Sequence, residues 1–509
     1  MRYRSRMSLA DLERQFLRVA RLQHVSAIMQ WDEAVMMPAA AGDSRANAMA
    51  TLGVVVHEHL TAPQLADWLL AAEAEHTAGK LDTTQAANLR EMRRVVRRAS
   101  ALPSSLVEAC SRAQLRCEQA WRVQRAHNDW QGFQPLLGEV VRYKREAAAG
   151  LAQALGMSRY DALLDEYEPF YSSARVDVAF ARLREFLPSL IDAVIERQRG
   201  QRCLVPNGPF PQALQEQLGR RLMTAVGFDA LRGRLDVSHH PFCGGVPNDV
   251  RITTRYDESD FTSGLMGVLH ETGHAKYEQG RPRELLEQPV GEPRGMSMHE
   301  GQSLLQEMQI SRSREFLSFA APLIVQTFAL AAATQPEAFG LENLARLFTR
   351  VERSKIRVNA DEVTYPCHIL IRYELERDLI EGKLEVADIP EAWDAGMRQL
   401  LGISTGHDYR DGCMQDVHWA SGGFGYFPSY TLGAMTAAQI FAAAERALPK
   451  LRDTIAQGSF DGINDWLRRN IWSAGSLFTT DELLQRASGE VLNPAFFEAH
   501  LRQRYLDQA

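Results

Sequence analysis

The stretch His270-Glu271-Thr272-Gly273-His274 is the feature from which the rest of the chain can be interpreted. Its two histidines are four residues apart, so in a helix both imidazoles lie on one face and can reach one metal ion, typically zinc. Glu271, between them, can accept a proton from a water molecule at that metal. The preceding residues, 261–269, are almost all apolar or small, which predicts a buried helix that leads into the site.

A catalytic zinc site needs a third protein ligand. The layout with a third histidine six residues after the second is excluded, because that position holds Gly280. The other common layout takes a glutamate from a second helix. A loop rich in proline and glycine at 280–295, followed by a helix from about Ser297, would point Glu300 at the histidines if the two helices are antiparallel. The alternative is that Glu300 is an acidic residue favoured near a helix start. The downstream carboxylates are Glu278, Glu284, Glu287, Glu292, Glu300 and Glu307.

The rest of the chain predicts a mainly α-helical protein. Helical periodicity covers most of the sequence on both sides of residues 201–260. Within that region two short strands are predicted, at 235–237 and 250–256. A small sheet there could pair its edge with an extended peptide substrate, and the alternative is a structural hairpin. The predicted helices are 8–30, 43–77, 82–100, 104–126, 133–155, 175–198, 316–334, 341–356, 362–382, 389–401, 433–448 and 479–508.

Composition and charge exclude several classes of partner. Of the 509 residues 45% are hydrophobic and 24% are charged, as in ordinary globular proteins. The net charge of −7 gives no basic excess, so we expect no nucleic-acid partner. The arginine run between Arg90 and Arg98 is interpreted as a solvated or salt-bridged helix face. The uncharged stretch 316–334 contains Pro322 and several polar residues, which predicts a buried helix and no contact with a membrane.

The start of the chain and its cysteines predict a cytoplasmic protein. Met1 to Met7 contains arginines without an apolar stretch behind them, which argues against a secretory signal. The six cysteines form no CxxC pair and no tight framework. Reduced thiols are therefore expected.

Further motifs lie in order along the chain on both sides of HETGH. They are QWDEAVMMP at 30–38, YDALLDEYEP at 160–169, HPF at 240–242, MHEGQSLLQE at 298–307, IRVNADEVTYPCH at 356–368 and GCMQDVHW at 412–419. Together with HETGH they resemble the carboxypeptidase Taq family of zinc metallocarboxypeptidases over nearly the whole chain. One departure is Phe170-Tyr171 after YEP, where that family usually has a glycine.

The resemblance implies a large, all-helical metallopeptidase with a deep central groove and a small β-sheet beside the zinc helix. It implies one domain over 1–509, in which an N-terminal part of about 1–200 covers the groove and a part of about 201–509 holds the zinc. It also implies a cytoplasmic homodimer that removes C-terminal residues, with broad specificity, from peptides that have a free C-terminus.

The resemblance gives Glu300 as the third ligand, beside His270 and His274. The expected cofactor is Zn²⁺, and the sequence does not decide whether Co²⁺ or Mn²⁺ replaces it in the cell. In this chemistry Glu271 is the general base, which later passes its proton to the leaving amine.

The oxyanion of the reaction needs a hydrogen-bond donor in addition to zinc. Tyr426, Tyr430 and His418 are the candidates. The alternative for each is a packed aromatic or a core histidine.

A carboxypeptidase must also hold the terminal carboxylate of its substrate, and arginine suits this because its guanidinium binds carboxylate bidentately. Arg357 is the first candidate and Arg410 the second. The alternative for Arg357 is a structural ion pair, for example with Asp361 four residues on.

Two other functions stay open. A zinc endopeptidase or oligopeptidase on the same scaffold would need no arginine for the carboxylate. The second is a non-enzymatic peptide-binding protein that has lost its metal. The intact set of His270, Glu271, His274 and Glu300 argues against this second function.

Overall fold

A computed structural model describes residues 9–507 of the chain. Within these residues the fold is 70% helical, with 21 α-helices and one three-stranded sheet, which confirms the predicted class. Met1 to Met7, on which the expectation about a secretory signal was based, lie outside the described residues. No helix of the described part is long and apolar enough to cross a membrane.

The α-helices are α1 (Leu9–Val35), α2 (Gly42–Leu60), α3 (Gln64–Thr77), α4 (Thr83–Ala99), α5 (Ser104–Ala126), α6 (Trp130–Leu155), α7 (Arg159–Tyr167), α8 (Ser173–Gln198), α9 (Gln212–Ala225), α10 (Phe261–Gly280), α11 (Gly295–Leu304), α12 (Arg314–Thr327), α13 (Ala329–Thr334), α14 (Leu341–Phe348), α15 (Tyr365–Glu381), α16 (Ile389–Leu401), α17 (Pro428–Ala447), α18 (Leu451–Ala456), α19 (Asp461–Asn470), α20 (Thr480–Ser488) and α21 (Pro494–Arg502). The strands are β1 (Gly233–Val237), β2 (Phe242–Val246) and β3 (Asp249–Thr254). A π-helix, Leu305–Ser311, continues directly from α11.

The N-terminal helices α1, α3 and α4 share a small apolar cluster. A reciprocal capping box starts α4, since the side chain of Asp82 accepts from the backbone N–H of Gln85 while the Gln85 side chain accepts from that of Asp82. The arginine run on α4 is salt-bridged, as predicted. Arg94 and Arg98 both pair with Asp165, which attaches α4 to α7.

The sheet has the strand order β1-β3-β2, with β1 parallel and β2 antiparallel to β3. The central strand β3 buries Val250 and Ile252 against Val268 of α10. The sequence predicted β1 and β3 but treated β2 as a connection, because Gly244 and Gly245 have low strand propensity. Pairing of the sheet edge with a peptide stays a prediction.

Some predicted helices are shorter than expected or are divided. Residues 43–77 form two helices, α2 and α3, separated at Thr61–Pro63, and residues 316–334 form α12 and α13. The predicted helix 341–356 ends at Phe348. There the amide of Gln198 bonds to the carbonyl oxygen of Thr349 and the N–H of Val351, so a tertiary contact takes the backbone groups that a longer helix would use. The helices α7, α9, α18 and α19 were not predicted.

Phe170 has a φ of 66°, in the left-handed region that glycine adopts most easily. Phe170 belongs to the pair Phe170-Tyr171 at which the chain departs from the resembled family's usual glycine, and a non-glycine residue with this φ carries backbone strain. The ring lies 5.5 Å from the guanidinium of Arg90 and 5.6 Å from that of Arg294. These cation–π contacts offset part of the cost.

Glycines let three helices approach closely near residue 300. A Cβ added at Gly273 of α10 would lie 2.5 Å from the carbonyl oxygen of Gln302 and 2.6 Å from the Cα of Ser303 in α11. A Cβ added at Gly433 of α17 would lie 2.8 Å from the Cβ of Glu300. Close packing on both sides therefore fixes the position of α11, and with it Glu300.

Two large apolar cores lie on either side of α17, which contributes Leu432 and Met435 to one and Ile440 and Phe441 to the other. The first core joins helices before and after residue 200 in the sequence. The single domain, and the groove between its two parts, stay predictions.

Candidate metal centre

α10 runs antiparallel to α11 and the π-helix that follows it. His270 contacts Glu307 and His274 contacts His299, so residue numbers rise along one segment as they fall along the other. Glu300 consequently lies at both histidines. Its Oε1 is 3.8 Å from Nε2 of His270, and its Oε2 is 3.2 Å from Nε2 of His274.

These three side chains fit a divalent metal ion. One ligand atom from each of His270, His274 and Glu300 lies within 4.8 Å of the other two. Two imidazole nitrogens and a carboxylate oxygen form a donor set typical of catalytic zinc. The carboxylate supplies negative charge that a cation would neutralise.

The hydrogen bonds behind His270 leave the correct nitrogen available to a metal. Its Nδ1 is 2.9 Å from Oε2 of Glu307, so Nδ1–H donates to the carboxylate and the Nε2 lone pair faces Glu300. Glu307 is itself held by Arg312, whose Nη2 is 2.7 Å from Oε1.

A longer chain of hydrogen bonds orients His274. Its Nδ1 is 2.6 Å from Nδ1 of His299, and Nε2 of His299 is 2.8 Å from Oε1 of Glu278. If His299 donates to Glu278, its Nδ1 accepts from Nδ1–H of His274, and Nε2 of His274 keeps its lone pair. Arg281 holds the other oxygen of Glu278 at 2.5 Å.

Glu271 is buried beside this cluster, and its Oε2 has no hydrogen-bond partner among the described residues. Burial raises the pKa of Glu271 to about 7. Burial also acts to raise the pKa of Glu300, but the adjoining imidazoles of His274 and His270 outweigh it and lower this pKa to about 2. The site thus contains one firmly ionised carboxylate, that of Glu300, and one carboxyl group, that of Glu271, with an unused oxygen.

We call His270, His274 and Glu300 the metal-ligand set. A second cluster lies next to it and contains Arg357, His418 and Tyr426. Burial raises the pKa of Tyr426 well above its ordinary value, and the nearby Tyr430 and the negative charge of Glu300 act in the same direction. The negative charge of Glu300 acts in the same direction on the pKa of Tyr430.

Arg357 is buried and binds Asp416, with Nε at 3.0 Å and Nη2 at 2.8 Å from Oδ1. Its Nη1 donates to the hydroxyl of Tyr365 at 2.7 Å. Asp416 also accepts from Nε of Arg372 at 2.6 Å. Two guanidinium groups therefore share one carboxylate, and two of the five N–H donors of Arg357 are left for another acceptor.

His418 and Tyr426 both lie beside Tyr430 in this second cluster. Nε2 of His418 is 3.3 Å from the hydroxyl of Tyr430, and its buried Nδ1 has no partner among the described residues. Burial lowers the pKa of His418 to about 4, so the imidazole is neutral at pH 7. The ring of Tyr426 lies 5.2 Å from that of Tyr430 and 5.8 Å from that of His418.

Arg410 has different surroundings. It is exposed, its guanidinium pairs with the neighbouring Asp411, and its backbone N–H bonds to Asn128. These contacts belong to the surface between α5 and the loop before α17, and none is with a residue of the metal-ligand set.

The partners that orient His270 and His274 were not predicted from the sequence. Glu307 and Glu278 were considered only as metal ligands, and His299 and Asp416 were not considered. Glu278 lies four residues after His274, and that spacing indicates a shared helix face without indicating His299 as the bridge. Asp416 is 59 residues from Arg357, and no local pattern predicts such a pair.

Comparisons with known proteins agree over the whole described chain. A family model described as "Carboxypeptidase Taq (M32) metallopeptidase" matches residues 11–505. "Thermostable carboxypeptidase 1" of Thermus thermophilus is 39% identical over 494 residues, which cover 96% of each chain. "Carboxypeptidase 1" of Bacillus subtilis is 31% identical, over 98% of this chain and 99% of its own. The solved structure of Trypanosoma cruzi metallocarboxypeptidase 1 has a TM-score of 0.95 and 43% identity, and covers 98% of this chain and 99% of its own.

Proposed function

The chain belongs to the carboxypeptidase Taq (M32) family of metallopeptidases and is a metallocarboxypeptidase, and from this premise we propose the catalytic roles of its residues. The family implies a divalent metal, which we propose is Zn²⁺ held by His270, His274 and Glu300. Two imidazoles and one carboxylate suit zinc, although Co²⁺ and Mn²⁺ accept the same ligands. Elemental analysis of protein purified without added metal distinguishes them.

Glu271 is the proposed general base. The supporting observation is its buried Oε2, which has no partner and lies beside the metal-ligand cluster. A zinc ion held by His270, His274 and Glu300 would supply a Lewis acid for the scissile carbonyl and for water. Glu271 accepts a proton from the attacking water and later delivers it to the nitrogen of the leaving residue.

Tyr426 and His418 are the proposed donors to the oxyanion. The raised pKa of Tyr426 keeps its phenol protonated at any working pH, so it can donate a hydrogen bond. His418 is neutral at pH 7, and the buried Nδ1 without a partner is available to the substrate. A donor that is already in position when negative charge develops on the oxygen stabilises the transition state more than the ground state.

Arg357 is the proposed anchor for the terminal carboxylate of the substrate. Arg357 and Arg372 carry two positive charges against the single negative charge of Asp416, which leaves one charge for an incoming carboxylate. Anchoring the end of the peptide sets the register, so that its last peptide bond lies at the metal. Arg410 stays the second candidate, but its exposed pair with Asp411 makes it the weaker one.

An experiment with two matched peptides tests this proposal against an endopeptidase or oligopeptidase on the same scaffold. One peptide has a free C-terminus and the other has the same sequence with a C-terminal amide. We expect the free peptide to lose single residues in order from its C-terminus, with broad tolerance of side chains, and the amide to be nearly inert. Internal cleavage of both peptides at similar rates would favour the endopeptidase.

We also propose that the protein works as a cytoplasmic homodimer, an assignment that the family resemblance supports. Light scattering should then give twice the chain mass of 57.1 kDa. A single chain mass at working concentration would contradict the dimer.

A further inference from the structure

A cavity of about 280 Å³ lies away from the metal-ligand set, between the end of α8, the start of α12, α14, α18 and the C-terminal segment. Five arginines and two glutamates line it. Three further glutamates outside the lining, Glu307, Glu445 and Glu362, pair with Arg312, Arg452 and Arg504. None of its lining residues belongs to the helices α1–α7. The arginines are Arg312, Arg314, Arg346, Arg452 and Arg504, and the glutamates are Glu315 and Glu342.

The arginines differ in how far their charge is already balanced. Arg314 pairs with Glu342 at the exposed rim, where water screens the pair. Arg346 donates to the backbone carbonyl of Arg202 and forms no ion pair with a described residue.

The start of α12 adds a second positive element. Ser313 lines the cavity and caps this 14-residue helix, its hydroxyl accepting from the backbone N–H of Phe316 at 3.1 Å. The first N–H groups of a helix have no intrahelical partner, and the helix dipole makes that end attractive to anions. Guanidinium groups next to a helix N-terminus form a typical environment for a phosphate group.

Two of the cavity arginines also hold the π-helix behind the metal ligands. Arg312 donates through Nη2 to Oε1 of Glu307, whose other oxygen binds His270. Arg504 donates to the carbonyl oxygens of Met308 and Gln309, the next residues of the same π-helix. An anion that forms hydrogen bonds with Arg312 or Arg504 therefore acts on the π-helix, which orients His270.

We propose that this cavity is a regulatory site for a small phosphate-type oxyanion, coupled to the metal centre through Arg312, Arg504 and the π-helix. The ligand is recognised by guanidinium groups and by the N-terminus of α12. Coupling is reciprocal, so an anion that changes the orientation of His270 binds with an affinity that depends on the metal.

The binding test uses metal-loaded enzyme and inorganic phosphate, measured by isothermal titration calorimetry at constant ionic strength set with chloride. The test variant is Arg314→Gln/Arg346→Gln, which changes two exposed side chains and leaves the buried contacts intact. Arg350→Gln is the matched control, because Arg350 is an exposed arginine paired with Glu352 just outside the cavity. We expect one phosphate per chain, at least tenfold weaker binding in the double variant, and wild-type binding in the control.

Absence of saturable binding would overturn the site. So would phosphate binding that the double variant leaves unchanged, because the anion would then lie elsewhere, for example at the metal centre. Since this measurement does not involve peptide hydrolysis, its result is independent of the function proposed above.

The coupling is tested by measuring kcat/KM on a free-ended peptide across the same phosphate range. A change of at least twofold is expected in wild type and Arg350→Gln, and none in the double variant. Saturable binding in the cavity without any change in kcat/KM would overturn the coupling. An equal change in all three proteins would assign the effect to phosphate acting on the metal, and would overturn it as well.

Discussion

Replacing Gly273 by alanine should force α10 and α11 apart and thereby weaken both the fold and the metal site. The added Cβ would lie 2.5 Å from the carbonyl oxygen of Gln302, where ordinary contact between such atoms needs about 3.5 Å. The two helices must therefore separate by about 1 Å. Overpacking of this kind costs about 1–3 kcal/mol of unfolding free energy.

The same displacement moves Glu300 relative to His270 and His274. Metal–ligand distances tolerate changes of only about 0.2 Å, so we expect metal affinity to fall at least about tenfold. Gly267→Ala is the matched control on the same helix, because its Cβ would meet only Oγ1 of Thr254 at an ordinary 3.6 Å. That change should be neutral, or stabilising by up to about 1 kcal/mol.

Urea unfolding measures the stability of both variants, and competition with a chromogenic chelator measures their metal affinity. The reasoning is refuted if Gly273→Ala matches wild type and Gly267→Ala in both measurements. A loss of stability with unchanged metal affinity would show that the close approach serves packing alone.

Three further predictions concern single carboxylates. Glu300→Gln should lose most of its metal at equilibrium, and full occupancy by elemental analysis would indicate another ligand. Glu271→Gln should keep its metal but lose several orders of magnitude in turnover, because the base is removed while the ligands stay; near-normal turnover would rule out the assigned role. Burial raises the pKa of Glu376 from its ordinary 4.5 to about 8, although hydrogen bonds from Tyr160 and Trp419 act to lower it. The folded state then binds more protons than the unfolded state between these values, so wild-type stability should fall as pH rises through that range. Glu376→Gln should make this fall in stability smaller. If thermal unfolding of the variant had the same pH profile as wild type, Glu376 would not be the cause of the fall.

The antiparallel pair that carries the candidate ligands could be predicted because its signals are local. Two histidines at helical spacing, a loop rich in proline and glycine and a new helix start lie within about 30 residues, and together they bring Glu300 back to His270 and His274. The structure places these three side chains together. Their role as metal ligands stays a proposal.

The surroundings of the site depend on contacts that no local pattern contains. Glu307 reaches His270 from a π-helix, whose wider turn is not encoded by a 3.6-residue period. Arg357 does form an ion pair, as the alternative suggested, but with Asp416. The example partner, Asp361, instead accepts from the backbone N–H groups of Val363 and Thr364. The partner of Arg357 is a residue of a distant loop, and only the tertiary fold brings that loop to it.

The same limit explains the errors in the secondary structure. β2 contains two glycines and becomes a strand only because β3 pairs with it. The segment after Phe348 leaves the helix because the amide of Gln198, from α8, binds its backbone. In both places a neighbour distant in sequence outweighs the local propensity.

The central claim is that a positive charge at Arg357 makes this metallopeptidase a carboxypeptidase, and one comparison tests it directly. The measurement is kcat/KM of wild type and Arg357→Ala on a free-ended peptide and on its C-terminal amide, with metal content checked in both proteins. Arg410→Ala, at an exposed arginine that also pairs with an aspartate, is the control. We predict that Arg357→Ala loses two to four orders of magnitude on the free peptide, about 3–5 kcal/mol, and much less on the amide, with Arg410→Ala close to wild type. Equal losses on both peptides would show that Arg357 is structural and would contradict the account.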